Sequence, residues 1–345
     1  MSFYYCLDNP PAENLRELLS PKTDSQLEAM ARKAQELSLK NFGKTITLYT
    51  PLYLANYCDN QCLYCGFNTQ NDIPRKKLNP QELKQEAEFI AKTGLKHILI
   101  LSGESRTLTP LSYIKDCLKI LRPLFSSISI EIYPLTESEY RELIAEGVDG
   151  LTIYQETYDQ EIYKKLHPRG PKQDYRFRLD TPQRAAQAGM RTINIGALLG
   201  LAPWPKEALW LLSHARYLQD KYPEVEVSIS LPRLQPQFNN FTATDEVSDR
   251  DIVRLITAAR IFMPRLGITL STREKPALRD NLIGLGITKM SAGSTTAVGG
   301  RTQSDPFIKN SIQFEISDKR DIAEIKKTIL EKGYEPVLKD WIGVL

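Results

Sequence analysis

Three cysteines fall within eight residues, in the run Tyr57-Cys58-Asp59-Asn60-Gln61-Cys62-Leu63-Tyr64-Cys65-Gly66-Phe67, spaced C-x3-C-x2-C. Thiolates are metal ligands, and the spacing narrows which metal. A structural zinc site takes four ligands, usually as two cysteine or histidine pairs, and this sequence offers no second pair. His97 opens a predicted strand and lies at the far end of it, and Cys117 sits mid-helix on an apolar face. A ferredoxin cluster also takes four cysteines. Three thiolates can instead hold three irons of a cubane [4Fe–4S] cluster and leave the fourth iron open to a substrate or cofactor. The bland alternative is three reduced loop cysteines with no task, and clustering this tight argues against it.

The elements that must position this loop are short β-branched or aliphatic runs alternating with longer amphipathic segments. Strands are predicted at 45–49, 97–101, 128–133, 150–154, 192–197, 225–231, 267–271 and 287–291. Helices are predicted at 80–93, 110–122, 136–146, 174–188, 205–221 and 248–265, with only a short one between 276 and 285. In 80–93 Leu83, Ala87, Ile90 and Ala91 share one face, and in 110–122 Leu111, Ile114, Cys117, Leu118 and Leu121 do. Asn79-Pro80 and Thr109-Pro110 each read as an N-cap followed by proline at the first helical position. Gly94 and Gly147 sit where helices should stop. Strict β–α alternation fits a doubly wound sheet or a barrel, and eight units favour the α/β class as a (β/α)8 TIM-type barrel. The cysteine loop then follows the first strand, on the C-terminal face where barrel active sites lie. Residues 1–43 read as a helical preface and 44–303 as the barrel. Residues 304–345 read as a C-terminal addition, with a strand at 312–316 and a helix at 321–332, in one domain.

The chain has 345 residues, with 41% apolar and 25% charged, an ordinary globular composition. A net charge of +3, without basic runs interleaved with aromatics, argues against nucleic acid. No apolar stretch approaches the ~20 residues of a membrane span. The start, Met1-Ser2-Phe3-Tyr4-Tyr5-Cys6, lacks the pattern of a signal peptide. The expected location is therefore cytoplasmic, where thiols stay reduced. Five cysteines are not a disulfide framework, and Cys6 is expected to have no role.

C-x3-C-x-aromatic-C after the first strand of a barrel resembles the radical S-adenosylmethionine (SAM) superfamily. Further runs resemble one branch, the 2-iminoacetate synthases, tyrosine lyases of thiamine-thiazole biosynthesis. They are Tyr64-Cys65-Gly66-Phe67, Glu131-Ile132-Tyr133-Pro134-Leu135, Tyr154-Gln155-Glu156-Thr157-Tyr158 and His167-Pro168-Arg169-Gly170-Pro171-Lys172. Leu270-Ser271-Thr272-Arg273-Glu274, Ser291-Ala292-Gly293-Ser294, Gln313-Phe314-Glu315-Ile316-Ser317-Asp318 and Trp341 extend the likeness over nearly the whole chain from about residue 30. A sister family of hydrogenase-maturing tyrosine lyases shares many of these runs but carries a second cysteine-bound cluster beyond them. No such cysteines follow here, so that second cluster is expected to be absent.

The resemblance implies a [4Fe–4S] cluster on Cys58, Cys62 and Cys65, with SAM on its open iron. It places Tyr64 and the backbone of Phe67 at the adenine, and Gly103-Glu104 at the SAM amino group. Glu131 goes to the ribose hydroxyls and Arg178 to the SAM carboxylate. Glycine permits close backbone approach to a ligand, a charged residue in an apolar strand needs a partner, and guanidinium binds carboxylate in parallel bonds. Arg273, at the end of a predicted strand, needs an anion, and the substrate carboxylate is the natural one. Ser291 is placed to add a bond, Tyr53 to line the pocket or simply to pack the barrel, and Gln155 and Glu156 to face the same cavity. His167 reads as a proton shuttle or as structural, and His214 as surface or core.

The implied course starts with a 5′-deoxyadenosyl radical taking a hydrogen from the amine of L-tyrosine. The Cα–Cβ bond then breaks to give 2-iminoacetate (dehydroglycine) and a 4-hydroxybenzyl radical, which is reduced and protonated to p-cresol. The resemblance also implies two partners, a thiazole synthase that receives the imine and a flavodoxin or ferredoxin-type reductant. Tryptophan in place of tyrosine is the nearest rival substrate. From another class, a zinc or iron–sulfur scaffold would need a fourth protein ligand.

Overall fold

Parallel neighbours need crossovers long enough to hold helices, and the alternation in the sequence supplies them. In the computed structural model, which describes residues 2–7, 13–303 and 311–339, eight strands pair in parallel in chain order. They are β1 (Thr45–Ala55), β2 (His97–Ser102), β3 (Ser127–Glu131), β4 (Gly150–Glu156), β5 (Thr192–Ala197), β6 (Glu226–Ser230), β7 (Gly267–Leu270) and β8 (Lys289–Ser291). β1 pairs with β2 on one side and β8 on the other, which closes a (β/α)8 barrel. Trp341, the stretch 304–310 and the side chain of Cys6 lie outside the described residues.

The helices start where the polar caps say they should. Asn79 and Glu82 form a reciprocal capping box with Pro80 at the first position, and Thr136 with Glu139 and Ser248 with Asp251 repeat it. Gly94 and Gly147 end helices at positive φ, +88° and +98°. β1 runs on to Ala55, past its expected end at 49, and a helix Gln160–Leu166 appears that the pattern did not predict; two helix boundaries also differ. Pro110 is itself the cap of the helix Leu111–Leu121, because the Thr109 hydroxyl turns back to the Ser105 carbonyl at 2.7 Å. The helix expected over 174–188 is two, Tyr175–Leu179 and Thr181–Gln187, broken at Asp180 ahead of Pro182.

Along each strand side chains alternate between the barrel interior and the helix layer. On β1, Leu48, Leu52 and Leu54 are fully buried, whereas Tyr49, Pro51 and Tyr53 line interior space. The lower interior is polar, with His97, Ser129, Thr152, Thr192 and Asn194 among its residues, and His97 Nε2 lies 3.2 Å from Ser129 Oγ. Cys117 is buried among Ile114, Leu118 and Leu121. His214 is core: it stacks on Phe3 at 4.2 Å and meets the Tyr158 hydroxyl at 3.0 Å. The helices Glu13–Leu19 and Asp24–Phe42 pack against Asp249–Phe262, the first also against Trp204–Lys221.

The strand expected at 312–316 does not form. Its backbone partners lie in separate loops rather than along one neighbour: Gly66 N–H donates to Gln313 O, Glu315 N–H to Pro236 O, and Ser317 and Asp318 N–H to Thr272 O. The segment is a seam across the barrel mouth. The expected helix follows at Ile322–Glu331, and then an unforeseen strand β9 (Glu335–Val337) pairs in parallel with Thr45–Thr47. It is three residues long and contains Pro336, which suits an edge position.

Fully buried Arg279 clamps this return segment to the barrel by binding Asp318 and the Ser291 carbonyl of β8. Removing one partner of a buried pair leaves an uncompensated charge. Arg279→Met is expected to lower unfolding free energy by about 3 kcal/mol, read as a lower urea midpoint. An unchanged midpoint contradicts the clamp.

Candidate functional site

The loop from Asn56 to Asn79 has almost no regular structure, so side chains satisfy its backbone. Asn56 accepts from Lys76 N–H at 2.7 Å and donates to Pro74 O at 2.7 Å. Arg75 spreads its guanidinium over the carbonyls of Asn56, Phe67, Asn68 and Asn71. Asn60 ties the loop to two other elements, accepting from Lys172 N–H at 2.8 Å and donating to Glu104 at 3.0 Å. A Cβ on Gly170 would strike Asn60 and the Asp59 carbonyl, so glycine at 170 is what allows this contact.

Cys58, Cys62 and Cys65 are free thiols, Cys62 buried and the others half-buried. Burial pushes all three upward, Cys58 to about 11, while the Lys172 ammonium pulls Cys62 and Cys65 the other way. Asn60 Nδ2 lies 3.8 Å from Cys58 Sγ, and Gln313 Nε2 lies 3.6 Å from Cys65 Sγ. Among the described residues no three His, Cys, Asp or Glu side chains gather around a single ion. A cubane asks for something else, one thiolate on each of three irons. Three soft donors in one loop, with amide and ammonium groups facing the sulfurs, fit a [4Fe–4S] cluster with an open iron.

Beside the thiols lies a buried charge quartet. Lys172 Nζ is 2.6 Å from Glu156, Arg178 is 2.8 Å from Glu104, and a 3.7 Å contact from Arg178 to Glu156 joins the pairs. Burial alone would raise both carboxyls. Arg178 and Lys172 instead hold Glu104 and Glu156 below the usual range, so both stay ionised. Arg178 also donates to the Tyr154 carbonyl at 2.7 Å. Lys172 was not singled out in the sequence. Its motif was visible in His167–Lys172, but nothing in the spacing marks a lysine as buried.

Glu156 has φ +70°, rare for a residue with a side chain, and sits at a register shift in the pairing of β4 with β5. Tyr154 and Glu156, two residues apart on β4, share one face of the strand, and both lie on the cavity wall. Gln155 does not join the cavity as expected, because β4 continues through Glu156 and alternation turns residue 155 away from the face of 154 and 156: it is buried, and its amide atoms have no hydrogen-bond partner among the described residues.

The cavity has two lobes that share Glu131, Tyr154, Arg273, Gln313 and Phe314. One lies by Cys65, with Tyr64, Glu156, Lys172 and Leu198; the other reaches down past Tyr53, Tyr49 and Ser291. A wider opening of ≈ 290 Å³, bounded by Arg233, Asp249 and Glu274, also touches Arg273. Arg273 lies three residues past the end of β7, and its guanidinium stacks on the Phe314 ring at 3.4 Å. Tyr53 donates to Gln313 Oε1 at 2.7 Å and meets Phe67 edge-on. Ser291 accepts from Thr272 N–H at 2.9 Å and so braces the Arg273 turn.

Several expected roles change. A Cβ on Gly103 would collide with the chain's own Tyr57 carbonyl, so glycine there has a packing reason of its own. The Phe67 carbonyl accepts from Arg75 at 2.9 Å, which leaves its second lone pair for another partner. His167 is not a shuttle. It is buried, with Nδ1 2.7 Å from Tyr163 O and Nε2 2.8 Å from the Tyr64 hydroxyl. Burial, helped by the Lys172 charge, drives it down to about 3, so it stays neutral and orients Tyr64. Gln313, Phe314 and Asn60 were missed as site residues, the first two because their run was read as a strand.

Comparison with known proteins agrees with this architecture. Residues 52–209 match the radical SAM superfamily and residues 230–335 the Biotin and Thiamin Synthesis associated domain. The 2-iminoacetate synthase of Escherichia coli (strain K12) is 38% identical over 334 residues, 96% of this chain and 88% of that protein. The X-ray structure of the FeFe-hydrogenase maturase HydG from Carboxydothermus hydrogenoformans superimposes with TM-score 0.87 at 32% identity, covering 97% of this chain and 78% of that one. Methylornithine synthase (PylB) shares the fold at 20% identity, TM-score 0.76, with 96% of each chain covered.

Glu131 gives a pH signature. Burial first, then the charge of Glu156, pushes it up to about 7 from 4.5. The folded protein then holds a proton that the unfolded chain has released, so stability falls as pH rises from about 5 to about 7 and levels off above. Glu131→Gln is expected to lack this decline in urea titrations across that range. Parallel curves for the two proteins would contradict the shift.

Proposed function

The chain belongs to the 2-iminoacetate synthase family of radical SAM enzymes, and from that membership we propose that it cleaves the Cα–Cβ bond of L-tyrosine to 2-iminoacetate and p-cresol. The observation that carries the reading is a cavity with the three-cysteine loop at one lobe, tyrosines at the other and Arg273 common to both. When bound, the [4Fe–4S] cluster and SAM supply a carbon radical that takes a hydrogen atom from the substrate amine.

The protein's own part is to hold and orient. Cys58, Cys62 and Cys65 hold the cluster. Arg178 and Glu104 act as one unit toward SAM, guanidinium to its carboxylate and carboxylate to its ammonium, and their mutual bond at 2.8 Å fixes both before SAM arrives. Tyr64 packs at the adenine, kept in place by neutral His167, with the remaining Phe67 carbonyl lone pair on the adenine edge. Glu131 takes the ribose hydroxyls. Glu156 is set on the cavity wall by its bulge and held ionised by Lys172 and Arg178.

Arg273 binds the substrate α-carboxylate. Its guanidinium stacks on the Phe314 ring, an arrangement that lysine cannot reproduce. Ser291 serves by bracing that turn, and Tyr53 lines the ring and amine pocket. The 311–318 seam keeps water from the imine, which would otherwise hydrolyse to glyoxylate. The opening beside Arg273 is the way out toward a thiazole synthase, and a flavodoxin or ferredoxin-type carrier supplies electrons. The free thiols suit a reducing cytoplasm. Among the described residues no helix is long and apolar enough to cross a membrane.

The decisive experiment is anaerobic: reconstituted protein, SAM, L-tyrosine and a reductant should yield p-cresol and 5′-deoxyadenosine together. Absence of p-cresol while SAM is consumed rejects the tyrosine-lyase reading. Cys62→Ala is expected to lose the cluster absorbance near ~400 nm and all SAM cleavage. Arg273→Lys should raise the KM for tyrosine about tenfold, ~1.4 kcal/mol, while uncoupled SAM cleavage changes little. Unaltered tyrosine kinetics would remove Arg273 from the substrate.

A further inference from the structure

One side chain bridges the two lobes. Gln313 accepts from the Tyr53 hydroxyl through Oε1 at 2.7 Å and faces Cys65 Sγ with Nε2 at 3.6 Å. It borders both lobes. Its backbone is fixed as well: Gly66 N–H donates to Gln313 O at 3.1 Å, and a Cβ on residue 66 would meet the same carbonyl. A metal-bound thiolate has no proton to donate, so only the orientation with N–H at sulfur and C=O at Tyr53 satisfies both ends. Tyr53 in turn lies edge-on to Phe67, two residues past Cys65.

We propose that Gln313 is a positioning residue that couples the substrate lobe to the cluster, setting its reduction potential through an N–H···S bond to Cys65 and transmitting occupancy at Tyr53. Hydrogen bonds to cluster sulfurs are among the levers that set such potentials. Donation to sulfur favours the reduced, more negatively charged cluster. Serial hydrogen bonds polarise one another, so donation from Tyr53 to the amide carbonyl strengthens the N–H toward sulfur. A tyrosine that engages Tyr53 changes that polarisation, and the cluster registers it. Sequence gives Gln313 no visible link to Cys65, since the seam brings them together across the barrel mouth.

The inference rests on the cluster reading above, and the test separates the two. Iron and sulfide are first counted in each reconstituted holoenzyme. A wild type without about four of each overturns the cluster reading itself. Redox titration is then followed by electron paramagnetic resonance, with and without L-tyrosine. Gln313→Leu is expected to lower the midpoint by a tenfold change in the one-electron equilibrium, about 59 mV. Tyr53→Phe, which leaves the amide in place, should lower it by less. The double variant should match Gln313→Leu alone, because the two act in series. Tyrosine should move the wild-type midpoint and leave that of Gln313→Leu unmoved. A fully loaded Gln313→Leu cluster with the wild-type midpoint overturns the inference, as does an additive double variant. If Gln313→Leu fails to load, Tyr53→Phe decides, and an unshifted midpoint there counts against the relay.

Discussion

The site depends on four charges that neutralise one another. Three of these groups are buried and Glu104 is half-buried, and charges so withdrawn from water carry a desolvation cost of several kcal/mol each. They persist because Lys172 meets Glu156, Arg178 meets Glu104, and one further contact joins the pairs. The quartet draws on the ends of β2 and β4, on the short helix Tyr175–Leu179 and on the turn before it. These elements cannot drift apart without exposing an unpaired charge. Asn60 then fastens the cysteine loop to the same unit through Glu104 and Lys172. The ligand loop is therefore held by electrostatics where it has no ladder of its own.

Strain is placed to serve the same end. A left-handed Glu156 costs of order 1–3 kcal/mol, and it stands on the cavity wall at the register shift between β4 and β5. Gln155, between the two inward-facing residues of β4, is buried with an amide that finds no partner among the described residues.

Much of the frame was legible because barrel strands and helices advertise themselves through period and caps. All eight barrel strands were found, as were the capping motif at Asn79-Pro80 and the stops at Gly94 and Gly147. Cysteine spacing identified the loop, and the likeness of motifs led to Arg178, Arg273 and Glu104. What escaped was set by tertiary contact. β9 is short and, among the described residues, pairs with no strand but β1; the 311–318 seam has strand-like composition, yet its backbone bonds go to several loops. Lys172 reads as a surface lysine until its carboxylate partner is seen, and Gln155 fails because β4 runs on to Glu156, so that 155 and 156 point to opposite faces. His167 looked reactive by residue type, whereas its surroundings keep it neutral.

β1 is the longest strand, and its start is paired to both β8 and β9, while Gln313 and Arg279 fasten the mouth from the same late part of the chain. Contacts so distant along the chain form late in folding and slowly. A ribosome-bound chain that has emerged only through β7 would display Cys58, Cys62 and Cys65 without their lid. The cysteine loop thus gains its contacts to Gln313 only after the chain is made through the seam, 248 residues beyond Cys65.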